Sequence, residues 1–235
     1  MTIKNEAMDL EKTCQVLKLF MHEYSACGEI RQLPVVTEHA QKFDYDGRTP
    51  VSTFYRARAY AGNGHGVKDF DPYRNSISVT ICHRQKLIMF GPFGAISMNP
   101  RGVRLGPALM GNVIEWLQRQ RDLENYTVHS GMLSDSDSKT DNDRIQRNKF
   151  YMSFGFVVSS VSGETGVEVT NGSFTATGVG QLSVPERYQS LLRPWVAFDS
   201  QIEKERSVAS TNMKLIAKAR AWYKAGFFQR DQWPL

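Results

Sequence analysis

Apolar positions along the chain follow two periods, and the elements they predict alternate between helix and strand. Leu10, Cys14, Leu17, Met21 and Tyr24 recur at spacings of four, three, four and three, which predicts one amphipathic helix from Asp9 to about Cys27. Pro34, Gly47 and Pro50 break the stretch 28–50, which reads as loop with a short second helix. Val51 to Tyr60 is rich in β-branched and aromatic residues and predicts a strand. Ser76 to His83 sets Ile77, Val79 and Ile81 against polar neighbours, the alternation of a half-buried strand. Leu87 to Met98 follows as a strand that Gly91-Pro92 must bend or split.

A helix is predicted from Pro107, with Leu109, Val113, Trp116 and Leu117 as its buried stripe. Tyr126 to Leu133 is the next strand. The polar run Ser134 to Asp143 ends in a cap for a helix that begins near Arg144 and stops at Gly155, with a strand from Phe156 to Val161 directly behind it. Asn171-Gly172 lies inside Val167 to Thr175 and predicts a hairpin of two short strands. After Pro185 the pattern turns helical: Glu186 to Leu192, a break at Pro194, Trp195 to about Arg206, and Ser210 to Ala225. The order of elements predicts an α/β or α+β class. It divides the chain into a main domain, 1–185, and a helical extension, 186–235.

Composition narrows this picture. The chain has 235 residues, 41% of them hydrophobic and 13 of them Phe, enough apolar material for a packed core. Cys14, Cys27 and Cys82 form no C-x-x-C pair, and an odd number of scattered thiols argues against a disulfide framework. With no apolar run of membrane-spanning length and no apolar signal region at the N-terminus, the expectation is a cytoplasmic protein without a membrane partner. The formal charge of +5 is concentrated at one end: residues 186–235 carry nine Lys/Arg and five Asp/Glu, a net +4, leaving +1 for the rest.

The chemistry-bearing stretch runs from Gly94 to Phe156. A strand-like run, Phe93 to Met98, meets a turn at Asn99-Pro100, then Arg101-Gly102-Val103-Arg104-Leu105-Gly106, and the helix opening at Pro107. A basic, glycine-containing turn between strand and helix offers backbone N–H groups and a positive helix end to a phosphate. Farther on stand Phe150-Tyr151-Met152-Ser153-Phe154-Gly155-Phe156.

Arg101-x-x-Arg104-x-Gly106 after a strand, and Phe150-Tyr151-x-x-Phe154-Gly155-Phe156 about 45 residues later, resemble the two motifs of the GNAT superfamily of acyl-CoA N-acyltransferases. The resemblance covers about residues 75–161 and leaves 186–235 unexplained. It implies a GNAT-like mixed, mainly antiparallel sheet flanked by helices, with acetyl-CoA as co-substrate. Arg101, Gly102, Val103, Arg104, Leu105, Gly106 and Pro107 would hold the pyrophosphate. Ile96, Ser97 and Met98 would pair edge to edge with the pantetheine arm. Tyr151 would protonate the departing thiolate. A phenol with a pKa of about 10 stays protonated at neutral pH and can serve a thiolate of similar basicity. Two positions depart from the family. Arg104 stands where it has its first motif glycine, and Arg144 and Arg147 stand where its helix carries Asn and Ala.

The acceptor implied is an amine on a small molecule, a protein or a tRNA. His129, Glu115, Asp141 and Asp143 are candidate bases, and the sequence does not choose among them. The alternative is a GNAT-fold module that binds nucleic acid, or a phage-type DNA-modifying protein, using Lys214, Lys218, Arg220 and Lys224 among the aromatics of the last helix. That helix reads more simply as a solvated face packed by its apolar side, and in an acyltransferase the C-terminal helices would shape the acceptor site or a homodimer contact. Two nearby signals read as ordinary structure. The glycines of Gly62-Asn63-Gly64-His65-Gly66 lack the spacing and the following helix of a dinucleotide fingerprint, and the aspartates of Ser134 to Asp143 lack a calcium loop's glycine. The five histidines show no ligand spacing, so no metal is expected.

Overall fold

The computed structural model describes residues 3–59, 75–91, 101–133 and 139–196, with the single positions 98, 207 and 213. The chain forms two compact units, Met1–Arg193 and Pro194–Leu235. The helices expected beyond Trp195 and the glycine loop 62–66 lie almost wholly or wholly outside the described residues.

Among the described residues the fold is mixed α+β. Its helices are α1 (Ile3–Lys12), α2 (Leu105–Gln118) and α3 (Asp141–Ser153). Its strands are β1 (Gln15–Ala26), β2 (Glu29–Phe43), β3 (Pro50–Ala59), β4 (Ser76–Cys82), β5 (Leu87–Phe90), β6 (Thr127–Met132), β7 (Val157–Ser160), β8 (Gly172–Ala176) and β9 (Leu192–Pro194). They make one open sheet in the order β7-β8-β6-β5-β4-β3-β2-β1-β9. From β1 to β5 neighbours run antiparallel; β5 and β6 pair parallel, with Leu87 opposite Thr127 and Met89 opposite His129. Of the described helices, none is long and apolar enough to cross a membrane.

The first half of the sheet overturns two expectations. No helix spans Asp9 to Cys27: α1 ends at Lys12 and β1 follows. The spacing that suggested a helix coexists with a period of two, since Phe20 and Tyr24 pack on the main core, His22 is buried between them, and Leu17 and Leu19 are exposed. Pairing with a neighbour decides between the two periods. Cys27 and Gly28, both at positive φ (52° and 80°), make the two-residue turn that suits the strand twist and brings Ala26 opposite Glu29. The stretch 28–50 is therefore mainly strand, not loop. Pro34 fits because pairing of β2 with β3 begins one residue later, at Val35 and Ala59, so β2 loses no bond on that side.

Two further expectations fail. Asn171-Gly172 does not join two strands; only β8 forms, between β6 and β7. The residues before it need no strand partner, because α3 side chains take their carbonyls. Asn148 donates to Val167 and Val169 at 2.8 and 2.7 Å, and Arg147 donates to Val169 and Thr170 at 3.2 and 2.9 Å. Likewise 186–192 is one 3-10 turn, Glu186–Tyr188, and then β9, rather than a helix. Just ahead of this stretch the Leu182 carbonyl accepts from Gln118 at 2.8 Å.

The main core lies between the sheet and α2, whose Leu105, Leu109, Val113, Ile114 and Leu117 are fully buried against β3, β4 and β5. The opposite sheet face, under α1, is polar. Arg56 bonds Glu38 at 2.7 Å and Glu11, Arg58 bonds Glu38 at 2.6 Å, and Ser52 donates to Glu6. Removing one member leaves a buried charge unbalanced, at about 3–5 kcal/mol. Beside them the Cys14 thiol is pushed up to about 11, chiefly by burial, with Arg56 opposing and Glu38 and Glu11 adding.

At the end of α3, Gly155 sits at φ +89°, donates to Met152 at 3.0 Å and accepts from Gln181. A Cβ there would overlap the Gln181 carbonyl oxygen. Gly155→Ala is expected to lower unfolding free energy by about 2–4 kcal/mol in denaturant titrations, from backbone strain and this overlap together. The Cys14 thiol gives a second test. The unfolded chain loses that proton near the ordinary thiol value and the folded chain near 11. Its contribution is thus complete below about pH 8.5 and lost as pH rises toward 11. Stability of Cys14→Ser relative to the native chain should accordingly improve across that window; a constant difference would contradict it.

Candidate functional site

At the C-terminal side of β5, where the sheet passes from antiparallel to parallel, α2 begins without a side-chain cap. Its cap residue, Arg104, is left-handed (φ 59°, ψ 19°), and the first bond of the helix is Ala108 N–H to the Arg104 carbonyl at 3.1 Å. Pro107 is the third helical residue rather than the first, and it carries no N–H. The N–H groups of Leu105 and Gly106 therefore point out of the helix end with no intrahelical acceptor. Both residues border a cleft of about 430 Å³.

One wall of the cleft is the turn itself, from Arg101, Gly102 and Arg104 to Pro107, with Met98 in front of it. The other wall is α3, through Gln146, Arg147, Phe150 and Tyr151, and Tyr188 closes one end. Among the described residues three arginines and no carboxylate line it, so together with the positive end of α2 the cleft favours an anion. Gly106 leaves room: a Cβ would reach ordinary contact with Met98 and Phe150 at 3.5 and 3.7 Å. Tyr151 is 6% exposed, stacked on Phe174 at 4.1 Å and set edge-on to Phe150 and Phe156. Tyr188 stacks on Phe154 at 5.6 Å, which ties the end wall to α3.

Comparison of the chain with protein-family models, with curated proteins and with solved structures finds no match. The site is therefore read from its own residues.

Of the residues singled out in the sequence, Met98, Arg101, Gly102, Arg104, Leu105, Gly106, Pro107 and Tyr151 meet at this cleft. Ile96 and Ser97 lie outside the described residues. Val103 does not line the cleft; its side chain packs on the core and its carbonyl faces His22. The four candidate bases also stand elsewhere. His129 is exposed and bonded to the Ser130 carbonyl, Glu115 pairs with Arg119 at 3.1 Å, Asp141 pairs with Arg144 at 2.9 Å, and Asp143 serves Thr140 at the start of α3.

His22, Gln146 and Tyr188 were not legible as site residues. His22 is 1% exposed; Nε2 lies 2.8 Å from the Val103 carbonyl and Nδ1 3.3 Å from the Leu191 carbonyl. A carbonyl only accepts, so the 2.8 Å contact places the proton on Nε2, and in a ring with one proton the 3.3 Å approach of Nδ1 to Leu191 is a packing contact. The ring packs between the turn behind one cleft wall and the segment that carries Tyr188. Its signal in the sequence was the alternation Phe20, His22, Tyr24, hidden by the helical period. Replacing it by Ala removes the Val103 hydrogen bond and a buried ring, so His22→Ala is expected to cost about 2–4 kcal/mol. Amide exchange at residues 102–106 and 188–192 should rise more than at β3 and β4; uniform loss would contradict the bracing role.

Proposed function

We propose that the protein is an acyl-CoA-dependent N-acyltransferase of GNAT type, most simply an acetyltransferase, acting on an amine. The observation that carries this reading is the meeting of the Arg101–Pro107 turn and Tyr151, more than forty residues apart, across one cationic cleft. The parallel β5–β6 pair joined through α2 supports it, since ligands of such sheets sit at the strand ends where the connection changes direction.

The residues present fit the coenzyme. Its diphosphate finds the N–H groups of Leu105 and Gly106 and the charges of Arg101 and Arg104. An apolar lining of Met98 and Phe150 suits the arm that follows, leading toward Tyr151. The coenzyme supplies an activated thioester. The protein holds the acceptor nitrogen against it, which accounts for most of the rate. As the nitrogen bonds to the acyl carbon the C–S bond breaks, the Tyr151 hydroxyl gives its proton to the sulfur, and the proton released by the amine restores the phenol. The burial of Tyr151 among aromatic rings keeps water from that step.

Two measurements test the reading. Coenzyme A at about a hundred times its Kd should stabilise the protein by about 2.7 kcal/mol by mass action in thermal melts, whereas tRNA and duplex DNA should not. Tyr151→Phe, which preserves packing on Phe174, should lower kcat for acetyl transfer to a responsive amine by about a hundredfold with KM for acetyl-CoA little changed. Stabilisation by nucleic acid alone, or full turnover in the variant, would reject the assignment.

A further inference from the structure

We infer that Arg104 makes the cleft selective for a ligand with two adjacent phosphates, its side chain acting where a glycine would supply only backbone. The inference rests on the cleft described above and on its coenzyme reading, but not on the transfer chemistry. Arg104 adopts a left-handed backbone that glycine adopts freely and a side chain with a Cβ does not. An arginine there works against folding, and its side chain gives nothing back in the described fold. It makes no cap bond to α2, and among the described residues it makes no ion pair. It lines the cleft instead, exposed, across from Arg147, a buried residue whose guanidinium holds the carbonyls of Val169 and Thr170.

The geometry of the turn suits the same ligand. Gly102 and Arg104 have positive φ (79° and 59°) and Arg101 and Val103 do not, an alternation that curves successive N–H groups around an anion. One phosphate can then be met by the Leu105 and Gly106 N–H groups, and a guanidinium fork can take the next bidentately. A single phosphate or a neutral pantetheine arm uses only part of this arrangement. Arginine rather than lysine fits the role, because the two-pronged contact needs a planar fork.

The test uses the full chain and Arg104→Gly, Arg104→Asn and Arg104→Lys. Asparagine tolerates the left-handed backbone without charge, and lysine keeps the charge without the fork. Calorimetric titration with inorganic pyrophosphate, coenzyme A and pantetheine is read beside the melting temperature of each unliganded protein. Arg104→Gly is expected to melt about 2–4 °C above the native chain. It and Arg104→Asn should weaken pyrophosphate and coenzyme A about tenfold or more while leaving pantetheine unchanged, with lysine between. Equal binding of coenzyme A by the native chain and Arg104→Gly overturns the role of Arg104 and leaves the coenzyme reading standing. Pyrophosphate bound through Arg104, with no gain from the rest of coenzyme A, keeps the role and rejects the coenzyme. Equal loss of pantetheine in the variants overturns the role as well, since it reports collapse of the cleft, and no binding of any probe by the native chain overturns both.

Discussion

The change of strand direction at β5 is the constraint from which the rest of the site follows. An antiparallel neighbour can be reached by a tight turn, but β6 runs parallel to β5, so the chain must travel back across the sheet before pairing again. α2 makes that return. Its buried stripe fixes the helix on the sheet, and the crossover fixes which end of it stands beside the end of β5. The uncapped amides at that end are a consequence of topology, and the arginines around them complete an environment for negative charge. α3, coming after β6, brings Tyr151 to the facing wall.

Legibility in the sequence tracked how locally each element is determined. α2 announces itself through Leu109, Val113 and Leu117, and α3 through the Gly155 stop, so these two helices and the strands β6 and β7 were readable to within a few residues. β1 was not. Val16 to Tyr24 satisfies a helical period and a strand period together, and the deciding partner, β2, is brought opposite by a turn that has the usual glycine at Gly28 but Cys27 where Asn, Asp or Gly is favoured. The same distance effect hid His22, whose partners at Val103 and Leu191 lie 81 and 169 positions away. The turn and Tyr151 could be named because motif spacing marks them. The side chains that brace them carry no such mark, and neither does the end wall at Tyr188, which only the path of the chain after β8 brings to the cleft.

The two faces of the sheet are built on different principles. Under α2 the packing is aliphatic and aromatic, tolerant of volume-conserving exchange. Under α1 the buried Arg56, Glu38 and Glu11 group is held by charge and hydrogen bonds, with Phe54, Ala40 and Leu10 as a small apolar patch beside it. Such a face contributes little net stability for its buried charges, but it is exacting about register: Glu38 must stand opposite Arg56, as it does. A slip of β2 by one residue against β3 would turn Glu38 to the aliphatic face and leave Arg56 without it.

The pair Arg147 and Asn148 has a consequence for how the far edge of the sheet is tied together. These two adjacent side chains perform, for residues 167–170, the service a tenth strand would otherwise render, and they sit one turn from Tyr151 on the same helix. The irregular segment and α3 are thereby joined into one mechanical piece, with β8 hanging from its end. Length added between Ser160 and Gly166 can bulge outward without disturbing that piece. Length added between Val167 and Thr170 must break the lashing, and the displacement would pass through α3 to the wall of the cleft.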